Sequence, residues 1–315
     1  MERRMLGRTG IEVSRLCLGT LTMGPLQANI SPDEGANLIC QAVARGINFF
    51  DTAEFYGVYE YLHKALRRVP REAIVISSRC YQYTYEGMRD SLERALREIG
   101  VDYIDIFGLH EQESRLTLKG HADAIRYLQD AKEKGLIRAV SVSTHAVEVV
   151  NAVRVMPEID VVHPIFNMRG IGIIDGDVGD MERAIEAASG SGVGVYSMKP
   201  LGGGHLYREV PDALAWVMGH DYIDSVAIGI KNLRELEVDL AIASGREVPQ
   251  EVLLSLAGEK RLLIEKWCAK CGACIDACGH GALSMGTEGA VVDPDRCVLC
   301  GYCVAHCREF CIKVV

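Results

Sequence analysis

Eight short aliphatic segments, each followed by a segment with helical periodicity, limit the folds open to this chain more than any other feature of its sequence. The aliphatic segments lie at 13–18, 48–51, 73–77, 103–109, 139–143, 160–165, 194–198 and 225–228. The predicted helices include 59–69, 85–99, 122–135, 146–155, 180–189, 210–218 and 232–243, and the first helix begins at the capping sequence Ser31-Pro32-Asp33-Glu34. Strands that alternate with helices form a parallel sheet covered by helices, which is the α/β class. Eight such units predict a closed (β/α)8 TIM barrel.

An open, doubly wound sheet is the alternative to the barrel. Such a sheet normally has a Gly-x-Gly-x-x-Gly turn after its first strand, whereas this chain has Gly19-Thr20-Leu21-Thr22-Met23-Gly24 there. Gly190, Gly192 and Gly194 follow a predicted helix and precede a strand, which is the reverse of the dinucleotide-binding order. We therefore interpret these glycines as a helix end and a turn.

The alternating pattern ends near residue 243. Pro249 can begin a further helix whose apolar residues extend to Ile264, and we expect this helix to lie on the barrel. Beyond it the sequence becomes rich in cysteine. We therefore predict a barrel domain at 1–260 and a small second domain at 261–315.

Composition and charge exclude several classes of function. Hydrophobic residues make up 49% of the 315 residues and charged residues 24%, which is enough to bury a large core and excludes disorder as the main state. The net charge is −9 and neither half has a basic stripe, so we expect no nucleic-acid partner and no anionic membrane surface. The sequence has no apolar run long enough to span a membrane and no secretion signal, which predicts a cytoplasmic protein.

Nine of the twelve cysteines lie between Cys268 and Cys311, and eight of these nine form two copies of the spacing C-x2-C-x2-C-x3-C. Three thiolates on a tight turn can bind three corners of an iron–sulfur cubane, while the fourth cysteine crosses to the other cluster. By that rule one cluster takes Cys268, Cys271, Cys274 and Cys307. The other takes Cys297, Cys300, Cys303 and Cys278. Two structural zinc sites are the alternative, although these prefer paired C-x2-C knuckles.

Residues 265–315 resemble a bacterial-type ferredoxin with two 4Fe-4S clusters. The resemblance implies a small α+β domain that exchanges electrons with a redox partner protein. The chain departs from the family where proline usually follows the fourth cysteine, since Gly279 and Arg308 stand there. Cys311 stands where alanine is usual, and we expect it to be a small buried packing residue beside a cluster, with a spare ligand or reactive thiol as the alternative.

The barrel segment has a second resemblance, to the aldo-keto reductases. Asp51 ends the second predicted strand and Tyr56 follows five residues later, on the barrel face where chemistry takes place. The resemblance covers about residues 5–242 and rests on residues 46–57, 91–96 and 101–106 and on His110. It implies that Tyr56 donates a proton to a substrate carbonyl while a nicotinamide delivers hydride, assisted by Asp51 and His110.

The family's catalytic lysine, at the end of the third strand, is replaced here by Arg79. A guanidinium is broader than an ammonium, is always charged and prefers planar bidentate partners. Arg79 can therefore polarise Tyr56, hold a substrate carboxylate, or serve only as an ion-pair partner of Asp51. Tyr56 and His110 can also be polar residues of the barrel mouth without a chemical role.

The resemblance also implies where a nicotinamide would bind. The candidate contacts are Gly19, Thr20, Ser143, Thr144, His163, Asn167, Tyr196, Ser197, Lys199, Leu201, Gly203, Gly229, Lys231, Glu235 and Asp239. Of these, His163 and Lys199 can instead be ordinary rim residues. Members of the family that bind NADP have a basic residue where this chain has Glu235, and like charge near a phosphate weakens binding. We therefore expect NADH in preference to NADPH, if a nicotinamide binds.

The two halves differ in the number of electrons they move. A nicotinamide carries two electrons as hydride, whereas a 4Fe-4S cluster passes one at a time, so a flavin between them is not excluded. Three interpretations stay open. The chain is an oxidoreductase for a small carbonyl-type substrate, using NAD(P)H or the clusters; a ferredoxin-fed enzyme whose barrel no longer binds a nicotinamide; or an electron-transfer protein whose barrel docks a partner.

Overall fold

The computed structural model describes all 315 residues, and a closed eight-stranded barrel forms its first part. A hairpin of β1 (Arg3–Met5) and β2 (Glu12–Ser14) precedes the barrel. The barrel strands are β3 (Leu16–Gly19), β4 (Phe49–Asp51), β5 (Val75–Cys80), β6 (Ile104–Gln112), β7 (Ile137–Thr144), β8 (Val161–Pro164), β9 (Gly194–Met198) and β10 (Ser225–Gly229). All are parallel and pair in sequence order, and β10 closes onto β3. The predicted TIM barrel is confirmed and the open sheet is excluded.

Helices connect the strands and cover the outside of the barrel. They are α1 (Pro32–Ala44), α2 (Tyr59–Leu66), α3 (Tyr85–Ile99), α4 (Arg115–Gly120), α5 (Ala122–Glu133), α6 (Val147–Val153), α7 (Val178–Gly190), α8 (Val210–Met218) and α9 (Leu233–Ala243). The predicted cap of α1 is present, because Ser31 Oγ accepts a hydrogen bond from Glu34 N and the Glu34 carboxylate accepts one from Ser31 N. None of the helices is long and apolar enough to cross a membrane.

The barrel strands are buried on both faces, which explains their continuous apolar sequences. Cys17 and Phe49 belong to a cluster inside the barrel, which the β1–β2 hairpin extends with Leu6. Leu16 and Leu18, on the opposite face of β3, belong to the larger cluster between strands and helices. The predicted strand at 13–18 is in fact divided between β2 and β3, because the residue between them, Arg15, instead donates its backbone N–H to Glu2 O.

The helix expected between Pro249 and Ile264 is wrong in its second half. The helix α10 (Gln250–Gly258) has no fully buried residue, and its Ala257 packs against the small apolar cluster of the cysteine-rich module. The apolar residues beyond it form β11 (Leu262–Ile264), which pairs antiparallel with β14 (Ile312–Val314). A strand partner so distant in the sequence cannot be inferred from local periodicity.

A small α+β module follows the barrel, as the ferredoxin resemblance implies. It contains β11, α11 (Ala273–Asp276), β12 (Leu283–Met285), β13 (Ala290–Val292) and β14, and β12 pairs with β13. The module packs directly on the barrel, because Val314 N donates a 3.0 Å hydrogen bond to Gly203 O. Gly204 has φ +89°, and a Cβ there would lie 1.8 Å from Val314 O, so this close approach requires glycine.

Candidate active site

Asp51 and Arg79 form a buried, bidentate ion pair at the C-terminal ends of β4 and β5. Arg79 Nη1 lies 2.5 Å from Asp51 Oδ1, and Nη2 lies 3.1 Å from Oδ2. Tyr196 also donates its hydroxyl to Oδ1, at 3.0 Å. Burial disfavours the charged carboxylate, but the charges of Arg79 and His163 and the hydrogen bonds from Arg79 and Tyr196 together outweigh it and hold the pKa of Asp51 below its ordinary value. Asp51 is therefore ionised at neutral pH.

Tyr56 lies at the end of a short 3-10 turn that follows β4. Its hydroxyl oxygen accepts a 2.8 Å hydrogen bond from Arg79 Nη2. Burial raises the pKa of Tyr56 to about 12, and the nearby Arg79 cation offsets this only in part. The phenol thus keeps its proton at neutral pH while a cation polarises its oxygen. Arg79 contacts Asp51 and Tyr56 at the same time, so it can pair with Asp51 and polarise Tyr56 together.

His110, on β6, lies beside Tyr56. Its ring stacks on Tyr81 with a centroid distance of 4.3 Å, and it meets the Tyr56 ring edge-on at 5.8 Å. Burial, with the Arg79 charge, lowers the pKa of His110 to about 3. Its Nδ1 is buried without a hydrogen-bond partner. The imidazole is therefore neutral at physiological pH and can act as a hydrogen-bond donor, but not as a cation.

Two cavities meet at these residues. The larger cavity, about 550 Å³, is lined on one side by Asp51 and His163, and the smaller cavity, about 410 Å³, by His110 and Tyr81. Six residues line both cavities and define their junction: Leu21, Tyr56, Arg79, Met198, Lys199 and Lys313. The structure thus brings the four predicted catalytic residues together around one open space. A barrel whose only role is to dock a partner protein does not require such a cavity, so this geometry disfavours the electron-transfer interpretation.

The candidate nicotinamide contacts divide into two groups. Eight of them line the larger cavity: Gly19, His163, Lys199, Leu201, Gly203, Gly229, Lys231 and Glu235. The others lie outside its wall: Thr20, Ser143, Thr144, Asn167, Tyr196, Ser197 and Asp239. Several polar groups of this second group bond within the protein; for example, Thr144 Oγ1 donates to Gln112 O at 2.6 Å and Asn167 Nδ2 donates to Ile171 O at 2.9 Å. Ser197 Oγ, by contrast, is buried without a partner.

Glu235 is not a free negative charge. Its carboxylate lies 3.0 Å from Lys260 Nζ and accepts a hydrogen bond from Lys231 N. Lys260 and Arg261 also line the larger cavity, and sequence reasoning missed both because they lie at the domain boundary, outside the barrel motifs. This pairing neutralises the charge on which the expected preference for NADH over NADPH was based.

The C-terminal module supplies part of the wall of the smaller cavity. Trp267, Arg308, Glu309, Phe310 and Lys313 all line it. Phe310 also belongs to the apolar cluster of the barrel. The sequence suggested only that Trp267 packs between module and barrel, and it placed none of these residues at the site, because they lie about two hundred positions or more beyond Tyr56. The candidate site is therefore shared between the barrel and the cysteine-rich module.

The two predicted cysteine sets are each brought together, including the crossing fourth ligand. Cys268, Cys271, Cys274 and Cys307 line one cavity of about 280 Å³. Cys278, Cys297, Cys300 and Cys303 line another of about 20 Å³, which must open to admit a cluster. No three His, Cys, Asp or Glu side chains converge as the ligands of one metal ion would, and the corners of a cubane require a wider spacing. Cys311 lines the first cavity too, with its Sγ 3.4 Å from that of Cys307.

Fold and site together define a barrel oxidoreductase with an iron–sulfur module, and comparisons with known proteins agree. The aldo/keto reductase family model matches residues 15–212, and the 4Fe-4S dicluster domain matches residues 261–308. The chain belongs to the aldo/keto reductase family. The second match favours iron–sulfur clusters over the zinc alternative.

Named relatives cover the barrel. L-galactose dehydrogenase of Arabidopsis thaliana is 28% identical over 224 residues, which cover 67% of this chain and 69% of that protein. The NADH-specific methylglyoxal reductase of Escherichia coli is 29% identical over 166 residues, covering 44% of this chain and 51% of the relative. The holo form of an aldo-keto reductase from Bacillus halodurans has a TM-score of 0.67 at 18% identity, covering 82% of this chain and 96% of that one. This last likeness shows the fold alone.

Proposed function

We propose that the chain interconverts a small carbonyl compound and its alcohol at the junction of the two cavities, with Tyr56 as the proton donor in the reducing direction. One observation carries the proposal. The Tyr56 hydroxyl accepts a 2.8 Å hydrogen bond from Arg79 and lines both cavities. A nicotinamide in the larger cavity and a carbonyl in the smaller one would therefore meet beside the hydroxyl proton of Tyr56.

The chain's own residues account for the movement of that proton. Tyr56 is protonated at neutral pH because its pKa is raised to about 12. As negative charge develops on the substrate oxygen, Tyr56 donates its proton, and Arg79 stabilises the phenolate that remains. A hydrogen bond to a charged group contributes about 1.5–3 kcal/mol, which corresponds to roughly 10- to 150-fold in rate. Asp51 positions Arg79 through both carboxylate oxygens, and neutral His110 can donate to the same substrate oxygen.

Two groups implied by the family and the module fit the residues present. A nicotinamide would supply hydride when bound, and Gly203, Gly229 and Lys231 are the residues of the larger cavity that would hold it. The two cysteine sets would hold 4Fe-4S clusters, which supply single electrons from a redox partner protein. All twelve cysteines are free thiols, which suits a reducing cytoplasm. The domain boundary near residue 260 is part of this proposal.

The test is Tyr56→Phe, compared with Tyr59→Phe as a matched control. Tyr59 is also buried, but its hydroxyl bonds to Ser78 and it lines neither cavity. Anaerobically prepared protein with verified iron and sulfide content would be assayed with methylglyoxal and NADH or NADPH. We expect at least a hundredfold loss of turnover in Tyr56→Phe and little change in Tyr59→Phe. Unchanged turnover in Tyr56→Phe would refute the proposed role.

A second candidate is an enzyme fed with electrons by the module and without a nicotinamide. The observation that favours it is the contribution of Trp267 and Phe310 to the smaller cavity, which brings the module beside the substrate. Titration with NADH and NADPH up to millimolar concentration, followed by thermal shift, separates the two candidates. Saturable nucleotide binding contradicts this second candidate, whereas its absence contradicts the role proposed for the nicotinamide.

A further inference from the structure

We propose that the substrate is a small oxo acid or hydroxy acid whose carboxylate binds between Lys199 of the barrel and Lys313 of the C-terminal module. This inference rests on the proposed function and names the substrate class of the same site. Neither lysine belongs to the catalytic set derived above, and Lys313 lies outside the region that matches the aldo/keto reductase family.

The two lysines reach the same junction from different parts of the fold. Lys199 follows β9 with a positive φ of +56°. Lys313 lies on β14 and is only 5% exposed. Both lie against the ring of Phe310, with Nζ-to-centroid distances of 5.0 Å for Lys199 and 3.4 Å for Lys313. Both line the junction of the two cavities, as Tyr56 does.

The charges around this point leave one cation without an anionic partner. Asp51 is fully engaged with Arg79. Glu111 lies 3.7 Å from Lys199 Nζ, and His145 Nε2 lies 2.6 Å from the same atom. Lys313 Nζ donates to the backbone oxygen of Phe310 and forms no ion pair.

Glu111 and Glu265 lie near enough to favour the charged form of Lys313, but burial and the Lys199 charge hold its pKa well below the ordinary value. A buried ammonium without a counterion is costly. A carboxylate placed between the two lysines would supply that counterion and would accept hydrogen bonds from both.

An anion at this point is better explained by a substrate than by the diphosphate of a dinucleotide. The lysines line the same junction as the proton-donating Tyr56, where the reacting carbonyl would stand. The glycines and Lys231 that would hold a diphosphate line only the larger cavity. A carboxylate close to the carbonyl group, as in a small oxo acid, therefore fits the distribution of charge.

Binding of two inert probes tests the inference without requiring turnover. Phenylacetate and phenylacetamide have nearly the same shape and differ in charge, and isothermal titration of anaerobic, iron-loaded protein gives both affinities. We expect phenylacetate to bind about tenfold or more tightly than phenylacetamide, because charge-assisted hydrogen bonds are the stronger kind. Lys313→Met should abolish this preference and leave phenylacetamide binding unchanged. Lys313→Arg should retain it, and so should the control Lys64→Met, on α2 away from both cavities.

Several results would overturn the inference. Equal affinity of the wild type for the two probes excludes a carboxylate site. Loss of NADH affinity in Lys313→Met, with the probe preference retained, assigns the lysine to the cofactor diphosphate. If Lys313→Met fails to fold or to hold iron, Lys199→Met serves instead, and an unchanged preference in that variant contradicts the site. Turnover does not enter these titrations, so a failure of Tyr56→Phe to lose activity is a separate result.

Discussion

Replacing Arg79 with methionine should destabilise the barrel by about 4 kcal/mol at pH 7 and by much less at pH 5. The substitution keeps most of the side-chain volume but removes the bidentate partner of Asp51. The Asp51 side chain is 6% exposed, and Tyr196 is then the one hydroxyl that still donates to its carboxylate. Breaking a buried ion pair by removing one partner costs roughly 3–5 kcal/mol.

The pH dependence follows from the way in which the variant can escape this cost. Burial without Arg79 raises the pKa of Asp51 above its unfolded value of about 3.9, so the folded variant takes up a proton. Holding that proton costs about 1.4 kcal/mol for each pH unit above the unfolded pKa. The largest loss of unfolding free energy expected for Arg79→Met is therefore about 4 kcal/mol at pH 7 and about 1.5 kcal/mol at pH 5. A group whose pKa is higher in the folded state stabilises the protein less as pH rises, so the variant should be less stable at pH 7 than at pH 5.

Denaturant unfolding at the two pH values, followed by far-UV circular dichroism on iron-loaded protein, measures the effect. The double variant Asp51→Asn, Arg79→Met removes both charges and should recover much of the loss. Arg169→Met is the surface control, because Arg169 pairs with Glu209 while 60% exposed, and should cost less than about 1 kcal/mol. An Arg79→Met penalty below about 1 kcal/mol at pH 7, or one that is equal at pH 5 and pH 7, would refute the assignment of Asp51 as a buried, ionised carboxylate.

Two further predictions concern the proton donor and the contact between barrel and module. The rate of carbonyl reduction should be flat between about pH 5 and 9, because the pKa of His110 is lowered to about 3 and that of Tyr56 is raised to about 12; a break near pH 6.5 in the steady-state profile would contradict a neutral His110. Gly204→Ala should displace β14, since its Cβ would lie 1.8 Å from Val314 O, and should speed proteolysis after α10. Gly258→Ala, whose Cβ would meet no atom within 4 Å, is the control, and equal proteolysis of both variants would contradict the prediction.

The barrel could be predicted from the sequence because each strand and helix is encoded locally. Asp51, Tyr56 and His110 follow from motifs at strand ends, which parallel topology places on one face of the barrel. The same local reasoning was wrong beyond α10, where residues expected to continue that helix form β11 instead. Residues 262–264 form a strand because they pair with β14, and the local spacing of apolar residues carries no information about that distant partner.

The rest of the site depends on contacts between distant parts of the chain. Lys313 reaches the junction because β14 pairs with β11 and because Val314 bonds to Gly203. Glu235 was interpreted as a free charge because Lys260 is not its neighbour in sequence. Side chains whose partners come from another domain carry no local pattern, so pairing of this kind appears only in three dimensions.

The position of Phe310 and Lys313 has a practical consequence for handling the protein. They follow Cys307, a proposed cluster ligand, by three and six residues, and both line the smaller cavity. Exposure to air that strips iron from the module would therefore also loosen the part of the smaller cavity's wall that Phe310 and Lys313 form. Damaged preparations should lose affinity for ligands together with their colour, and adding fresh reductant without iron and sulfide would not restore it.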